Sequence, residues 1–164
     1  MYGIATYNAT KKFIQEYGDG IAKAIRGTGI FFSVAVGQKA YESGYGKRIP
    51  AGSNNFGGIK YNPNLPGVVG FVLADTTEYV KGRKVNVKEK FSKFKDVEAG
   101  FRAYIQVLLL DRYKNARLLA KTPEEQIFMI AKAGYTTTPA AKYRDMLSPL
   151  IEAARDISKI GRIK

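Results

Sequence analysis

Glu42 stands at the end of the most apolar stretch of the chain, in Ala40-Tyr41-Glu42-Ser43-Gly44-Tyr45-Gly46, and its carboxyl is a candidate general acid. A carboxyl held by core on one side and facing a loop on the other is partly desolvated, which favours the protonated form. A shift of roughly two pH units would correspond to about 2.7 kcal/mol, within reach of one apolar wall. The same residue could instead be a helix-terminal glutamate pointing into solvent. Glu78 is a second candidate, in the strand-like run 71–80. Period two puts Val72, Ala74, Thr76, Glu78 and Val80 on one face, and Phe71, Leu73, Asp75, Thr77 and Tyr79 on the other. Both faces are mixed, so alternation does not choose between Asp75 and Glu78. The plain alternative for Glu78 is a cross-strand charge partner for Lys84, Lys88 or Lys90.

Carboxylates carry this weight because composition removes their competitors. The 164 residues include no His and no Cys, which excludes disulfides, thiolate nucleophiles, Ser-His-Asp triads, imidazole bases and His or Cys metal sites. Chemistry must rest on carboxylates, Tyr, Lys, Ser or Thr, and no cofactor or metal is expected. Apolar residues at 45% and charged residues at 25% are ordinary for a globular chain, and the length fits a single domain over residues 1–164. Charge is less ordinary: 27 Lys+Arg against 14 Asp+Glu leave a net +13. That excess implies anionic surroundings, such as nucleic acid, anionic lipid or an acidic cell wall. It concentrates at residues 81–95, where Lys81, Arg83, Lys84, Lys88, Lys90, Lys93 and Lys95 face a single Glu89. Residues 1–8 lack a basic region leading into a long apolar one, so no signal peptide is expected. The longest strongly apolar stretch, residues 30–36, is too short to span a membrane.

The elements that must position these carboxylates follow from the pattern along the chain. Residues 8–41 read as helical, broken at Gly18-Asp19-Gly20 and again near Gly27-Thr28-Gly29. Residues 30–36 are apolar on nearly every side, as in a core helix, and Gly44 supplies its stop. Residues 44–70, rich in Gly, Pro and Asn, form a long ordered loop, a feature that usually serves function. A hairpin follows, with 71–80 outbound, Lys81-Gly82-Arg83 as the turn and Val85, Val87, Glu89 and Phe91 alternating on the return. Asp96 can cap a helix carrying Phe101, Tyr104, Ile105 and Leu108. Thr122-Pro123-Glu124-Glu125 reads as an N-cap, a proline at the first helical position and a capping box, with the helix ending at Gly134. Thr138-Pro139 starts another helix, and Ser148-Pro149 starts or kinks the last. The class is α+β, with a small sheet between two helical halves.

The segment Ala40-Tyr-Glu-Ser-Gly-Tyr-Gly46, followed by Asn54-Asn-Phe-Gly-Gly-Ile-Lys60, resembles the signature of glycoside hydrolase family 73, bacterial and phage peptidoglycan N-acetylglucosaminidases. The resemblance continues through Thr77-Glu-Tyr-Val-Lys-Gly82 with Phe91-Ser-Lys-Phe94, Ala99-Gly-Phe-Arg-Ala-Tyr104 and Ala133-Gly-Tyr-Thr-Thr-Thr-Pro139. It implies a lysozyme-like fold, mainly helical, with a small β-hairpin lobe at about residues 57–95 flanking a glycan cleft. Glu42 matches the family's catalytic acid, Glu78 a β-lobe carboxylate proposed as the second catalytic group, and Tyr135 the tyrosine of its Ala-Gly-Tyr motif. Thr138 departs from the family, which often has Asp there; both types cap helices well.

Cleavage of a β-1,4 glycosidic bond needs an acid at the leaving oxygen and assistance at the sugar carbon. Glu42 takes the first role. Glu78 activates water or stabilises the oxocarbenium ion, or else the substrate's own N-acetyl group attacks with Tyr135 orienting it. Tyr45, Phe56, Tyr61 and Tyr135 could stack on sugars, and Asn54 and Asn55 could bind N-acetyl groups. The competing roles are a core plug for Phe56 and turn formation for the two asparagines. The implied partners are peptidoglycan glycan strands and anionic wall polymers, met at the wall by a monomer, with neither nucleic-acid binding nor membrane insertion expected. Without a signal peptide, such an enzyme would be phage-released or exported by another route. The alternatives are a muramidase or lytic transglycosylase on the same polymer, or a non-catalytic basic module binding wall or nucleic acid.

Overall fold

The apolar run beginning at Ile30 becomes the most deeply buried helix of the molecule, and most other helices pack around it. A computed structural model describes residues 1–164. The chain divides into two compact units, Met1–Arg48 with Ile105–Lys164, and Ile49–Tyr104.

In the first unit, α1 (Ile4–Ile25) runs unbroken through Gly18-Asp19-Gly20, where the sequence pattern predicts an interruption. Gly18 is buried, and a Cβ there would meet Ile14 Cγ2 of the same helix at 3.0 Å. Packing of Phe13, Ile21 and Ile25 outweighs the roughly 1 kcal/mol that glycine costs a helix. The expected break at 27–29 is present. The second helix, α2 (Phe32–Ser43), is buried at every residue from Phe32 to Ala40. At Gly37 it passes so close to the last helix that a Cβ would sit 2.7 Å from Ile151 Cγ1.

The helices α4 (Lys114–Leu119), α5 (Pro123–Ile130) and α6 (Ala140–Ser158) complete this unit. Thr122 caps α5 by accepting from the Glu125 N–H at 3.1 Å, while Glu125 reaches one residue further back than a capping box requires, to the Lys121 N–H. A π-type turn, Ala131–Tyr135, ends α5 with Gly134 at φ 100°. Thr138 does not cap α6; Pro139 occupies that position with no side-chain hydrogen bond. Ser148-Pro149 starts no new helix, because Pro149 lies within α6, held on both sides by buried Leu147, Leu150 and Ile151.

The tail after α6 closes over the 26–31 turn. Phe31 and Arg162 form a bridge, the Phe32 N–H bonds the Gly161 carbonyl, and Arg162 donates to the carbonyls of Gly29, Arg117 and Ala120. Buried Gln126 braces the same turn, accepting from the Phe31 N–H and donating to Gly29 and Ala116.

The second unit is built on a two-stranded antiparallel hairpin, β1 (Val68–Val80) and β2 (Arg83–Phe94). Both strands run longer than the pattern predicts, and Arg83 belongs to β2 rather than the turn. Lys81 and Gly82 alone make the turn, at φ 50° and 77°, the positive values a two-residue I′ connection needs. The loop ahead of β1 is fixed to β2 by the Lys60–Phe91 bridge. Helix α3 (Val97–Ile105) is capped by Asp96, whose Oδ1 accepts from the Ala99 N–H at 2.8 Å. Leu108 lies beyond it in a 3₁₀ turn, Gln106–Leu109. Phe101 packs edge-on to both Phe56 and Tyr104 to form this unit's core.

Candidate active site

The position of Glu42 follows from how α2 stops. Gly44 takes the left-handed conformation at φ 57°, and the Tyr45 and Gly44 N–H groups bond back to Ala40 and Tyr41, a Schellman arrangement. Ser43 locks the turn by donating to the Lys39 carbonyl and accepting from the Gly46 N–H. Arg48 donates to the last carbonyls, those of Tyr41 and Glu42. Glu42 therefore sits in a rigid final turn with its side chain 29% exposed.

Its carboxyl meets a polar cradle rather than the apolar wall expected from the sequence. Lys39 Nζ lies 2.7 Å from Oε2, the Tyr143 hydroxyl 3.1 Å from Oε1 and the Tyr135 hydroxyl 3.4 Å from Oε2. Gln38, fully buried, donates its amide to the Tyr143 oxygen at 3.2 Å, which leaves the Tyr143 proton to go to Glu42. Burial pushes the Lys39 ammonium below its ordinary range, against the pull of Glu42. Burial, with the charge of Glu42, pushes the Tyr143 phenol up. Tyr135 reaches the carboxyl from the π-type turn, its ring flanked by those of Tyr113 and Tyr143.

The second unit holds the remaining carboxylate. Glu78 lies near the hairpin tip on the half-buried face with Val72, Ala74 and Thr76, whereas Asp75 is on the exposed face. Burial thus separates the two acids that alternation could not. Glu78 pairs with none of the hairpin lysines. Its cross-strand neighbour is Val85, and its ion partner is Lys60 of the loop at 2.9 Å.

The other expected residues divide by environment. Tyr45 is half-buried just past α2, at φ 58°. Tyr61 is 39% exposed and packs on Phe71. Asn55 is buried, its amide spent on the carbonyls of Ile59 and Ser92 and its oxygen on the Ile59 N–H. Asn54 donates to the Phe94 carbonyl, and Phe56 is buried against Phe101.

Sequence reasoning missed Lys39, Gln38 and Tyr143. Lys39 had a signal, a lone cation three residues before Glu42 on an otherwise apolar helix. Tyr143 had none, since it meets Glu42 across 101 residues of chain. No group of three or more His, Cys, Asp or Glu residues is placed to hold a metal ion.

Comparison with known proteins identifies the family. The family model described as mannosyl-glycoprotein endo-beta-N-acetylglucosaminidase, or glucosaminidase, matches residues 18–156. The peptidoglycan hydrolase FlgJ of Pseudomonas aeruginosa is 34% identical over 123 residues, covering 71% of this chain and 30% of that protein. FlgJ of Vibrio cholerae is 31% identical over 122 residues, covering 71% and 36% respectively. The chain thus spans about a third of the length of the curated relatives it matches. A C-terminally truncated glycoside hydrolase domain of Salmonella typhimurium FlgJ superposes with a TM-score of 0.69 at 26% identity, covering 91% of this chain and 99% of that one. The catalytic domain of the Listeria monocytogenes autolysin Auto shares the fold at 20% identity, with a TM-score of 0.70, covering 91% of this chain and 86% of that one. With the model matched across both units and a lysozyme-like mixture of six helices and one hairpin, the chain belongs to the glucosaminidase family of glycoside hydrolases.

Proposed function

We propose that the chain is a peptidoglycan hydrolase that cleaves the β-1,4 bond between N-acetylglucosamine and N-acetylmuramic acid, with Glu42 as general acid. The observation that carries this reading is the Glu42 carboxyl, held at the end of α2 by Lys39, Tyr135 and Tyr143 yet still 29% exposed. A carboxyl so fixed can present its proton to a leaving oxygen without first reorganising. Tyr135 orients the reacting sugar's N-acetyl group. Glu78 is the second carboxylate, activating water or stabilising positive charge at the sugar carbon. Tyr45 and Tyr61 stack on sugar faces, while Asn54, Asn55 and Phe56 shape the loop that carries Tyr61. The two units act as one catalytic domain, as a monomer.

The substrate also accounts for the charge. The outward face of the hairpin carries Lys84, Lys88 and Lys90 across from Tyr79, Asp75 and Leu73. Such a field holds the enzyme near anionic wall polymers while it works along glycan strands in the periplasmic or extracellular wall.

Digestion of purified peptidoglycan, with the new ends identified by mass spectrometry, tests the bond. Reducing-end N-acetylglucosamine is expected. Muramic acid ends would make the protein a muramidase, and anhydro-muramic acid ends a lytic transglycosylase. Glu42→Gln is expected to lower the cleavage rate by about a hundredfold or more. Wild-type cleavage by that variant would remove the acid assignment even if the bond is right.

A further inference from the structure

Lys39 is an unusual residue to bury. It is 5% exposed on a helix whose neighbours are apolar, and burying an ammonium is costly unless an opposite charge meets it. Its ammonium lies 2.7 Å from Glu42 Oε2. The other carboxyl oxygen is held by Tyr143, whose own orientation is fixed by Gln38. The adjacent residues Gln38 and Lys39 thus secure the two oxygens of the carboxyl by two routes, one through Tyr143 and one directly.

We propose that Lys39 is a positioning residue for Glu42, fixing the plane of its carboxyl for proton delivery. This rests on Glu42 being the acid of the proposed reaction. The groups facing that carboxyl are Lys39 from α2, Tyr135 from the π-type turn and Tyr143 from α6, with the Arg48 guanidinium on the backbone carbonyl of Glu42 itself. Only Lys39 brings a full positive charge to the carboxyl oxygens, through a bond of 2.7 Å to Oε2. Without it Oε2 keeps the longer 3.4 Å bond from Tyr135, so the carboxyl plane is held by the phenols alone and turnover falls.

The test compares kcat and KM for peptidoglycan cleavage by the full chain with those of Lys39→Met, Lys39→Gln and Lys39→Arg. The two neutral variants are expected to lower kcat by about tenfold with KM little changed, while Lys39→Arg, which keeps a cation beside Oε2, recovers most of the rate. Neutral variants that keep the wild-type kcat would overturn the role of Lys39. Glu42→Gln, assayed alongside, separates the two ideas: an inactive variant leaves the acid intact as a premise, whereas a fully active one defeats the reading of the site itself.

Discussion

Lys39 and Tyr143 grip the same carboxyl, yet burial moves their proton affinities in opposite directions. For Lys39 the folded value lies below the ordinary 10.5, so between the two values the unfolded chain binds more protons and stability rises with pH. For Tyr143 the folded value lies above the ordinary 10.0, so beyond that pH the unfolded chain ionises while the folded one does not, and stability falls. Urea unfolding across the alkaline range is therefore expected to show wild type gaining on Lys39→Met as pH rises toward 10.5. Wild type is expected to lose ground to Tyr143→Phe above pH 10. Each effect amounts to about 1.4 kcal/mol for every pH unit separating folded from unfolded values. Parallel curves for all three proteins would mean that neither group is perturbed by its surroundings.

At the scale of elements, the contact between α2 and α6 governs whether this cradle closes, because Glu42 lies on one helix and Tyr143 on the other. Gly37→Ala would push a methyl to within 2.7 Å of Ile151 Cγ1 and 3.2 Å of its backbone nitrogen. A cost of about 1–3 kcal/mol in unfolding free energy is expected, with activity reduced as Tyr143 is displaced from Glu42. An unchanged denaturation midpoint would show that the helices part freely. Much of this framework was legible from local chemistry: Gly44 stops α2, Thr122 and Pro123 open α5, and Lys81-Gly82 turns the hairpin. Each of those signals acts within a few residues. The misreadings came where distant packing overrides local preference. Gly18 stays helical because buried Phe13, Ile21 and Ile25 hold α1 against the core on either side of it, and Pro149 is carried inside α6 by the buried residues around it. The site divides the same way. Glu42 and the turn that fixes it could be found from spacing, whereas the phenol of Tyr143 arrives from the far end of the sequence.

At the scale of the molecule, the basic surplus and the cradle answer different needs of the proposed reaction, one concentrating the protein on an anionic polymer and the other serving the cleavage. The residues after α6 are fastened by backbone and side chain together: Phe31 and Arg162 form a bridge, the Phe32 and Gly27 N–H groups bond the Gly161 and Ile163 carbonyls, and the Arg162 guanidinium adds bonds of its own. Arg162 is exposed, donates to three separate backbone carbonyls and lies over the Phe31 ring at 4.1 Å, where α2 begins. The weight this clasp carries is read from the melting temperature of Arg162→Ala. Loss of Arg162 is expected to lower the melting temperature by several degrees, at about 2–4 °C per kcal/mol for a chain of this size, because Gly29 and Ala120 lose a charged donor together. A melting temperature indifferent to that substitution would show that the clasp carries no load. One arginine beyond the last helix thus fastens the entry to α2, and with it the far end of the same helix, where Glu42 stands.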